Sequence, residues 1–350
     1  MNVLFIPHVP NLRVVNRVYE FAKHLDAYFL YWEIDNSSLI HKIKSQFNSL
    51  KYTQKERIVQ IPLLFKPEVF AVKLNTLFLN LLIDKLNIDA VINANALLFD
   101  IKSIKVPVIY DLVDDHLEIN ESIGLNEKRV AKIKEDIKSS TGVVCVSEFL
   151  EKKVKALNPN TITIENGLYF EKFDRAKSLK AQLGLEGKKV FGYIGGVEKW
   201  TGIDRAIEQY LKAEPPNSAF LVVGGSKSSF FQELKRRYQG SVHFIGQVSP
   251  EEVAHYFKTI DVGLIPFELN EFTNNALPIK ALEYGYAKKP VLSTPLAYLQ
   301  HKKFPFVHFC EIEKFYECMK KDLVYEPFDF STYSWRYLSQ RLYDFIKESV

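Results

Sequence analysis

The sequence is poor in the features that would indicate a disulfide framework, a zinc site or a nucleic-acid partner. It has three cysteines in 350 residues, and none of them forms a CxxC pair. Lys and Arg number 46 and Asp and Glu 42, so the formal net charge is only +4. A balance this even argues against nucleic acid as a partner, because such proteins carry a dominant basic stripe. The scarcity of cysteine is typical of a reducing, cytoplasmic compartment.

Long apolar runs are also missing. No uninterrupted run reaches the roughly 18 apolar residues that a membrane-spanning helix needs. The nearest approach is Val69–Leu86, an apolar stretch that is interrupted by Lys73, Asn75, Asn80 and Asp84. It indicates either a core-facing helix or a helix that rests on a membrane surface. The first residues, MNVLFIPHVPNLRVV, have no basic flank before their apolar run and predict a first strand, not a signal peptide.

Two common nucleotide-binding signatures are absent. The segment that follows the first predicted strand, FIPHVPNLRVVNRVYEF, contains no glycine, so it cannot supply the G-x-G-x-x-G of a dinucleotide-binding domain. The P-loop pattern G-x-x-x-x-G-K-[ST] does not occur anywhere in the chain. These absences weigh against a dehydrogenase and exclude a P-loop NTPase.

What the sequence does contain is a regular alternation of short apolar runs and segments with helical periodicity. Such runs are Val3–Ile6, Ala90–Asn93 and Val106–Tyr110 in the first half, and Val190–Ile194 and Ala219–Val223 in the second. Strands that are apolar on both faces and separated by helices indicate parallel sheets covered on both sides. Two successive series predict two doubly wound, Rossmann-like α/β domains that face a cleft.

The predicted boundary between the two domains falls after Glu165, where Asn166–Gly167 supplies a turn. The N-terminal domain is predicted to cover residues 1–166, and the C-terminal domain residues 167–330. The last segment, residues 331–350, is predicted to be a helix that returns to the N-terminal domain, with Ser331 or Thr332 as its N-cap.

The stretch Asn270–Leu296 combines several signals for an anion site. Asn275 is a suitable N-cap for a helix at the carboxyl end of a strand, with Pro278 in its first turn. The unpaired N–H groups of Ala276 and Leu277 would then join the positive end of the helix dipole, an arrangement suited to a diphosphate.

The same predicted helix carries a cation and a carboxylate on one face. A nucleotide lying along this face would meet Lys280 near its phosphates and Glu283 near its ribose hydroxyls. The spacing of these two residues is equally consistent with an ordinary i,i+3 ion pair on the surface.

Two further clusters follow predicted strands. Gly195–Gly196 and Lys199 would bring backbone N–H groups and a cation to the diphosphate, although a tight strand-to-helix turn explains the glycines as well. The segment YDLVDDH places Asp114, Asp115 and His116 at a strand end. A carboxylate there is suited to general-base catalysis, and either aspartate is equally suited to capping the next helix.

Several motifs, in order along most of the chain, resemble those of the GT-B glycosyltransferases of the group 1 (GT4-like) family, especially bacterial capsule and cell-wall polysaccharide enzymes. ALPIKALEYGYAKKPVLSTPL resembles the family's donor-site helix, and FGYIGGVEKWTGIDRAIEQYL its glycine-rich loop. VHFIGQVSPEEVAHYFKTIDVGLIPF resembles the segment that leads into the donor site. YDLVDDH, VVCVSEFLEKKV and IENGLYFEKFD match N-domain and linker signatures, and SWRYLSQRL the terminal helix.

This resemblance implies a GT-B fold. It implies sugar transfer from a UDP-, GDP- or dTDP-linked donor to a glycan or lipid-linked glycan. The expected setting is surface polysaccharide synthesis at the inner face of the membrane. It implies that Glu283 binds the ribose, that Asn275 stands where the family's first glutamate would be, and that Asp114 is the general base, with Asp115 as second candidate. His116 is assigned to the donor sugar, and the acceptor-side residues are His8, Arg13 and Arg17. No cofactor or essential metal is expected.

Two alternatives remain open at this point. A non-hydrolysing sugar-nucleotide 2-epimerase has the same architecture. A non-catalytic nucleotide-sugar-binding subunit would keep the fold as a scaffold, and the uncharged Asn275 favours that interpretation.

Overall fold

The computed structural model describes residues 1–8, 17–32, 51–65, 68–95, 97–119 and 125–350. The chain divides into two compact units, one formed by Met1–Asn166 with Trp335–Val350 and the other by Gly167–Ser334. The terminal helix begins at Trp335 and not at residue 331, because Ser331–Tyr333 form a separate 3-10 turn and Ser334 has an extended backbone.

The N-terminal unit is built on an 8-stranded sheet with the order β3-β4-β2-β1-β5-β6-β7-β8. Its strands are β1 Val3–Ile6, β2 Tyr28–Leu30, β3 Thr53–Lys55, β4 Ile58–Gln60, β5 Ala90–Asn93, β6 Val108–Leu112, β7 Gly142–Cys145 and β8 Thr161–Thr163. Only β3 runs antiparallel to its neighbour in this sheet. The chain reverses its direction of winding between β1 and β5, and ligands of open α/β sheets bind at such points, beyond the carboxyl ends of the strands.

The helices of this unit are α1 Arg17–His24, α2 Glu68–Leu86, α3 Glu127–Ser139, α4 Glu148–Val154 and, from the end of the chain, α13 Trp335–Ser349. The side chains of Asn126 and Ser147 cap α3 and α4 by accepting backbone N–H bonds. The last helix packs on the first, with the rings of Phe21 and Trp335 edge to face at 5.4 Å.

The C-terminal unit contains a 6-stranded sheet with the order β11-β10-β9-β12-β13-β14, in which every described pairing is parallel. Its strands are β9 Lys189–Gly195, β10 Ser218–Gly224, β11 His243–Gly246, β12 Val262–Ile265, β13 Val291–Ser293 and β14 Val307–Phe309. Here the winding reverses between β9 and β12, which indicates a ligand site at the carboxyl end of β9.

The helices of the C-terminal unit lie between these strands. They are α5 Phe170–Arg175, α6 Ile203–Ala213, α7 Ser229–Arg237, α8 Val253–Thr259, α9 Glu271–Asn274, α10 Ile279–Tyr286, α11 Ala297–Lys302 and α12 Phe315–Met319. The middle strands are almost wholly buried, as continuous apolar runs covered on both faces should be. The prediction of two parallel-sheet α/β domains is confirmed.

None of the helices in the described ranges is long and apolar enough to cross a membrane.

Candidate functional site

The centre of the candidate donor site is a pair of glycines at the ends of neighbouring strands. Gly195 and Gly224 lie opposite each other in the β9–β10 register, with φ of 144° and 104°. A Cβ atom on Gly224 would lie 2.2 Å from the carbonyl oxygen of Gly195, so only glycine fits there. The Tyr193 hydroxyl donates to the carbonyl of Gly196 at 2.6 Å and fixes the loop that follows.

Lys280 lies directly beside this loop. A Cβ atom on Gly195 would be 3.2 Å from the Lys280 Nζ. The ammonium group also lies 5.1 Å from the centre of the Tyr193 ring and 4.7 Å from that of Phe267, so two aromatic faces hold it in place. Burial lowers the pKa of Lys280 to about 8, and the nearby Glu283 opposes that shift.

Glu283 is one turn further along α10 and is half-buried, like Lys280. Burial raises the pKa of Glu283 to about 7, against the opposing effects of Lys280 and Lys172. Lys280 and Glu283 are both half-buried, and both have pKa values shifted toward neutral pH. Two solvated side chains in a surface ion pair would not show such shifts. Such perturbation next to a glycine loop is typical of a ligand site.

The sequence-based placement of Asn275, Ala276 and Leu277 is wrong in one respect. Asn275 ends α9, with its N–H bonded to the Glu271 carbonyl, and does not begin the helix of Lys280. The next helix begins at Ile279, after Pro278.

The reason is a competing capping signal earlier in the chain. Asn270 and Thr273 form a reciprocal capping box that starts α9 four residues before Asn275. The unpaired first-turn N–H groups of α10 therefore belong to Ile279 and Lys280, while Leu277 is buried.

Lys199 follows the glycine loop in a 3-10 turn, Lys199–Thr201, and its side chain is exposed. The turn is held by Gly202, where a Cβ atom would lie 2.1 Å from the Pro266 carbonyl oxygen. The Trp200 ring packs against Phe267, one of the two rings around Lys280, at 4.9 Å. Lys199 is thus near the loop in sequence but lacks the fixed position of Lys280.

Sequence reasoning missed Gly224, Tyr193 and Phe267. A signal for Gly224 was present, since both strands end in a double glycine, YIGG and VVGG. The two rings carried no such signal, because aromatic residues within a strand, like Tyr193, or just after one, like Phe267, are more commonly part of the core.

We expect Gly224→Ala to disrupt the donor loop more than it affects the fold. The new methyl group meets the Gly195 backbone, and the left-handed φ adds roughly 1–2 kcal/mol of strain. Thermal unfolding and nucleotide titration of this variant, beside Gly187→Ala as a positive-φ control with open space around it, measure both effects. Equal nucleotide affinity in the two variants would contradict the proposed role of the loop.

The candidate acceptor-side groups lie at the carboxyl ends of β1 and β6. Desolvation by the surrounding protein is the largest effect on His8 and His116 and lowers the pKa of both. His8 further lowers the pKa of His116, so the two rings are close enough to interact. Asp111 opposes the shift at His8. The shift favours the neutral imidazole more firmly at His116, which is half-buried, than at His8, which is exposed.

Asp114 lies in the same segment and is half-buried. Desolvation raises its pKa to about 7, although one carboxylate oxygen accepts the Asp115 N–H at 3.1 Å, which works in the opposite direction. A carboxylate with a pKa near the working pH is suited to accept a proton from a substrate hydroxyl.

Asp115, the second predicted base, has a different environment. Its side chain is buried, with one oxygen 3.0 Å from the Lys153 Nζ and the other accepting the Leu117 N–H at 3.3 Å. These contacts make Asp115 a structural residue that fixes the loop after β6. A catalytic role for Asp115 stays a prediction, and these contacts favour Asp114 as the base.

Arg17 is also structural. Its guanidinium forms a buried, two-pronged pair with Asp111, at 3.1 and 3.0 Å, and donates to the Ile164 carbonyl at 3.0 Å. It ties α1 to β6 and is buried, and its acceptor-side role stays a prediction. Arg13 lies outside the described residues.

Residues 175–301, which include the glycine loop and the Lys280–Glu283 helix, match the family described as glycosyl transferases group 1. The resemblance inferred from the sequence motifs is confirmed. The matched segment also contains Asn275.

A curated relative of this chain is the "putative teichuronic acid biosynthesis glycosyltransferase TuaH" of Bacillus subtilis (strain 168). It is 30% identical over 181 residues, a match that covers 49% of this chain and 45% of the relative. The match thus spans about half the length of that protein.

Solved structures similar to this chain include Anabaena HepE in complex with UDP and glucose. Its TM-score is 0.72 at 14% identity, and the match covers 99% of this chain and 100% of that one. Sucrose-phosphate synthase from Thermosynechococcus elongatus has a TM-score of 0.72 at 13% identity, with coverage of 99% and 98%. At such identities the likeness shows the fold, which is GT-B.

Proposed function

We propose that this chain transfers a sugar from a nucleoside diphosphate sugar to a hydroxyl group of a glycan or lipid-linked glycan. The observation that carries the proposal is the position of Lys280, held by two aromatic rings beside Gly195, with Glu283 one turn further along the same helix. The complexes of HepE with UDP and with UDP-glucose support a uridine nucleotide as the first donor to test.

On the donor side, the diphosphate lies against the first turn of α10. The N–H groups of Ile279 and Lys280 and the Lys280 ammonium supply positive charge where the leaving diphosphate becomes more negative. Glu283, in its ionised form, accepts bonds from the ribose hydroxyls. No divalent metal is included in the proposal, because these groups already provide the positive charge that the leaving group needs.

On the acceptor side, Asp114 acts as the general base. As the acceptor oxygen attacks the anomeric carbon, the bond from that carbon to the diphosphate breaks and the hydroxyl proton passes to the Asp114 carboxylate. His8 and His116, both kept toward the neutral form, supply hydrogen bonds to sugar hydroxyls nearby. Asn275 has an uncharged amide side chain, so the proposal assigns it no role that requires a carboxylate.

The biological setting that we propose is surface polysaccharide synthesis on the cytoplasmic side of the membrane. The name of the Bacillus relative, a putative teichuronic acid biosynthesis glycosyltransferase, supports this setting.

The first test is incubation of the protein with UDP-, GDP- and dTDP-linked sugars, with release of free nucleoside diphosphate as the readout. We expect slow hydrolysis of one donor class without acceptor. Glu283→Ala should weaken binding of that nucleotide by about 10- to 100-fold, since hydrogen bonds to a charged group contribute about 1.5–3 kcal/mol. Glu233→Ala, an exposed glutamate on α7, is the matched control and should change nothing.

The other outcomes separate the alternatives. Nucleotide binding without turnover, lost in Glu283→Ala, indicates a scaffold subunit. Conversion of the donor to its 2-epimer indicates an epimerase. Absence of binding to every nucleotide in the panel rules the proposal out.

A further inference from the structure

The helix α2 in the N-terminal unit has an apolar outer face. Its inner residues Leu79, Leu82 and Ile83 are buried, whereas Phe70, Leu77 and Leu81 are 56%, 53% and 56% exposed. These three positions follow i, i+7 and i+11, so they form one line along three turns, which we call the α2 stripe. A contiguous apolar line on a surface marks an interaction site more commonly than isolated apolar residues do.

At its first turn the α2 stripe meets an apolar groove with a basic rim. The groove has a volume of about 290 Å³, and its apolar wall includes Val69, Val72 and Leu97. Lys73 and three cations of α3, Lys128, Arg129 and Lys132, line the same groove together with the carboxylate of Asp100. Lys132 is paired with the buried Asp136 of its own helix, which offsets part of this charge. We call this the basic groove.

The topology fixes where the basic groove lies. The end of α2 leads into β5, and α3 follows β6, so the first turns of both helices are at the carboxyl edge of the sheet. The loop that carries Asp114 leaves β6 at that same edge. The groove and the proposed general base therefore belong to one edge of one unit.

We propose that the α2 stripe and the basic groove dock this protein on the surface of a bilayer that contains anionic phospholipids. The stripe enters the headgroup and acyl-chain boundary, the groove takes the upper part of one acyl chain, and the cations meet the lipid phosphates. Apolar surface directly beside positive charge is complementary to such a boundary, where hydrocarbon lies directly beside phosphate. A second copy of the chain is a poorer occupant, because a symmetric contact would oppose the two basic rims.

This inference deepens the proposed function, since docking at this edge would bring the sugar of a lipid-linked acceptor to the side of the sheet where Asp114 lies. The docking itself can be measured without turnover. The two proposals can therefore fail separately.

The test is sedimentation of the whole chain with vesicles of phosphatidylcholine alone and of phosphatidylcholine with roughly one-third phosphatidylglycerol. We expect binding to the anionic vesicles only, and weaker binding at high salt. Leu77→Ser with Leu81→Ser should reduce the partition coefficient about tenfold, and Lys73→Gln with Lys128→Gln about five- to thirty-fold.

Matched controls replace similar residues elsewhere. Leu211→Ser with Val324→Ser removes two exposed apolar side chains, and Lys235→Gln with Lys347→Gln removes two exposed cations. Neither pair should change vesicle binding, and all four double variants should keep wild-type donor hydrolysis. Equal binding to both vesicle types, no binding to either, or equal losses in test and control pairs would each overturn the proposal.

Discussion

Asp114→Asn is expected to lower kcat by about 10²–10⁴-fold while leaving donor affinity near that of the wild type. The amide keeps the shape of the side chain and can still accept the Asp115 N–H, but it cannot take a proton from the acceptor hydroxyl. General-base assistance commonly contributes this range of rate. Initial rates with saturating donor and acceptor, together with nucleotide titration, separate the two effects.

The pH dependence of kcat gives a second readout for the same residue. Because the pKa of Asp114 is raised to about 7, the wild-type rate should increase through neutral pH as the carboxylate ionises. The pKa of Glu283 is also raised to about 7. Because Glu283 acts in donor binding, measuring kcat at saturating donor removes its ionisation from the pH dependence of the rate. The residual rate of the asparagine variant should lack this rise. A rise of unchanged size and position would mean that another group is the base.

Stability should change in the opposite direction to activity. A carboxylate with a folded-state pKa of about 7, above its ordinary 3.8, makes the folded state less stable as pH increases from about 4 to 7. Asp114→Asn removes that cost and should raise the free energy of unfolding at neutral pH by about 1 kcal/mol, since the side chain is only half-buried. Asp115→Asn is the matched contrast, because it leaves Lys153 without its buried carboxylate and should lower stability by about 1–3 kcal/mol.

Lys280→Met should lower kcat/KM by about 10²–10³-fold. The substitution keeps the length and apolar contacts of the side chain against Tyr193 and Phe267 but removes the charge beside Gly195. Groups that stabilise charge growing in the transition state contribute on this scale. Rates across a range of donor concentrations will show whether the loss is mainly in kcat, as charge stabilisation predicts, or in KM.

The pH profile of kcat/KM provides an independent check on Lys280. Its pKa, lowered to about 8 by burial, predicts that the rate falls above that pH as the ammonium loses its proton. Lys212→Met is the control, because Lys212 also lies over an aromatic ring, Tyr316 at 3.6 Å, but at the amino edge of the sheet. If Lys280→Met keeps both its rate and the alkaline fall, the diphosphate lies elsewhere.

The fold could be predicted from the sequence because its strands are short, apolar on both faces and separated by helical segments. Val3–Ile6 and Ala90–Asn93 appear in the structure with the predicted bounds. What the pattern did not give was the start of the terminal helix at Trp335, since Ser331 can begin a 3-10 turn as readily as a longer helix.

The candidate site could be predicted less completely, and the reasons are local. Helical spacing places Lys280 and Glu283 on one face, one turn apart, but it was the resemblance to the group 1 donor-site helix that favoured a ligand role over an ordinary ion pair. Asn275 was misplaced because several residues nearby can cap a helix and only the folded chain shows that Asn270 does so. Asp114 and Asp115 are adjacent and identical in type, so only their contacts distinguish a structural carboxylate from a candidate base. Asp115 pairs with Lys153, whereas within the described ranges Asp114 accepts the Asp115 N–H.

The facing ends of β9 and β10 also limit how this protein can be rearranged. Because Gly195 lies opposite Gly224, adding or deleting one residue in either strand would bring a side chain to the one place where neither backbone leaves room for it. Residues 189–224, which contain both strands, must therefore be kept together when segments are exchanged between related proteins. Chimeras with related enzymes are best joined outside that span.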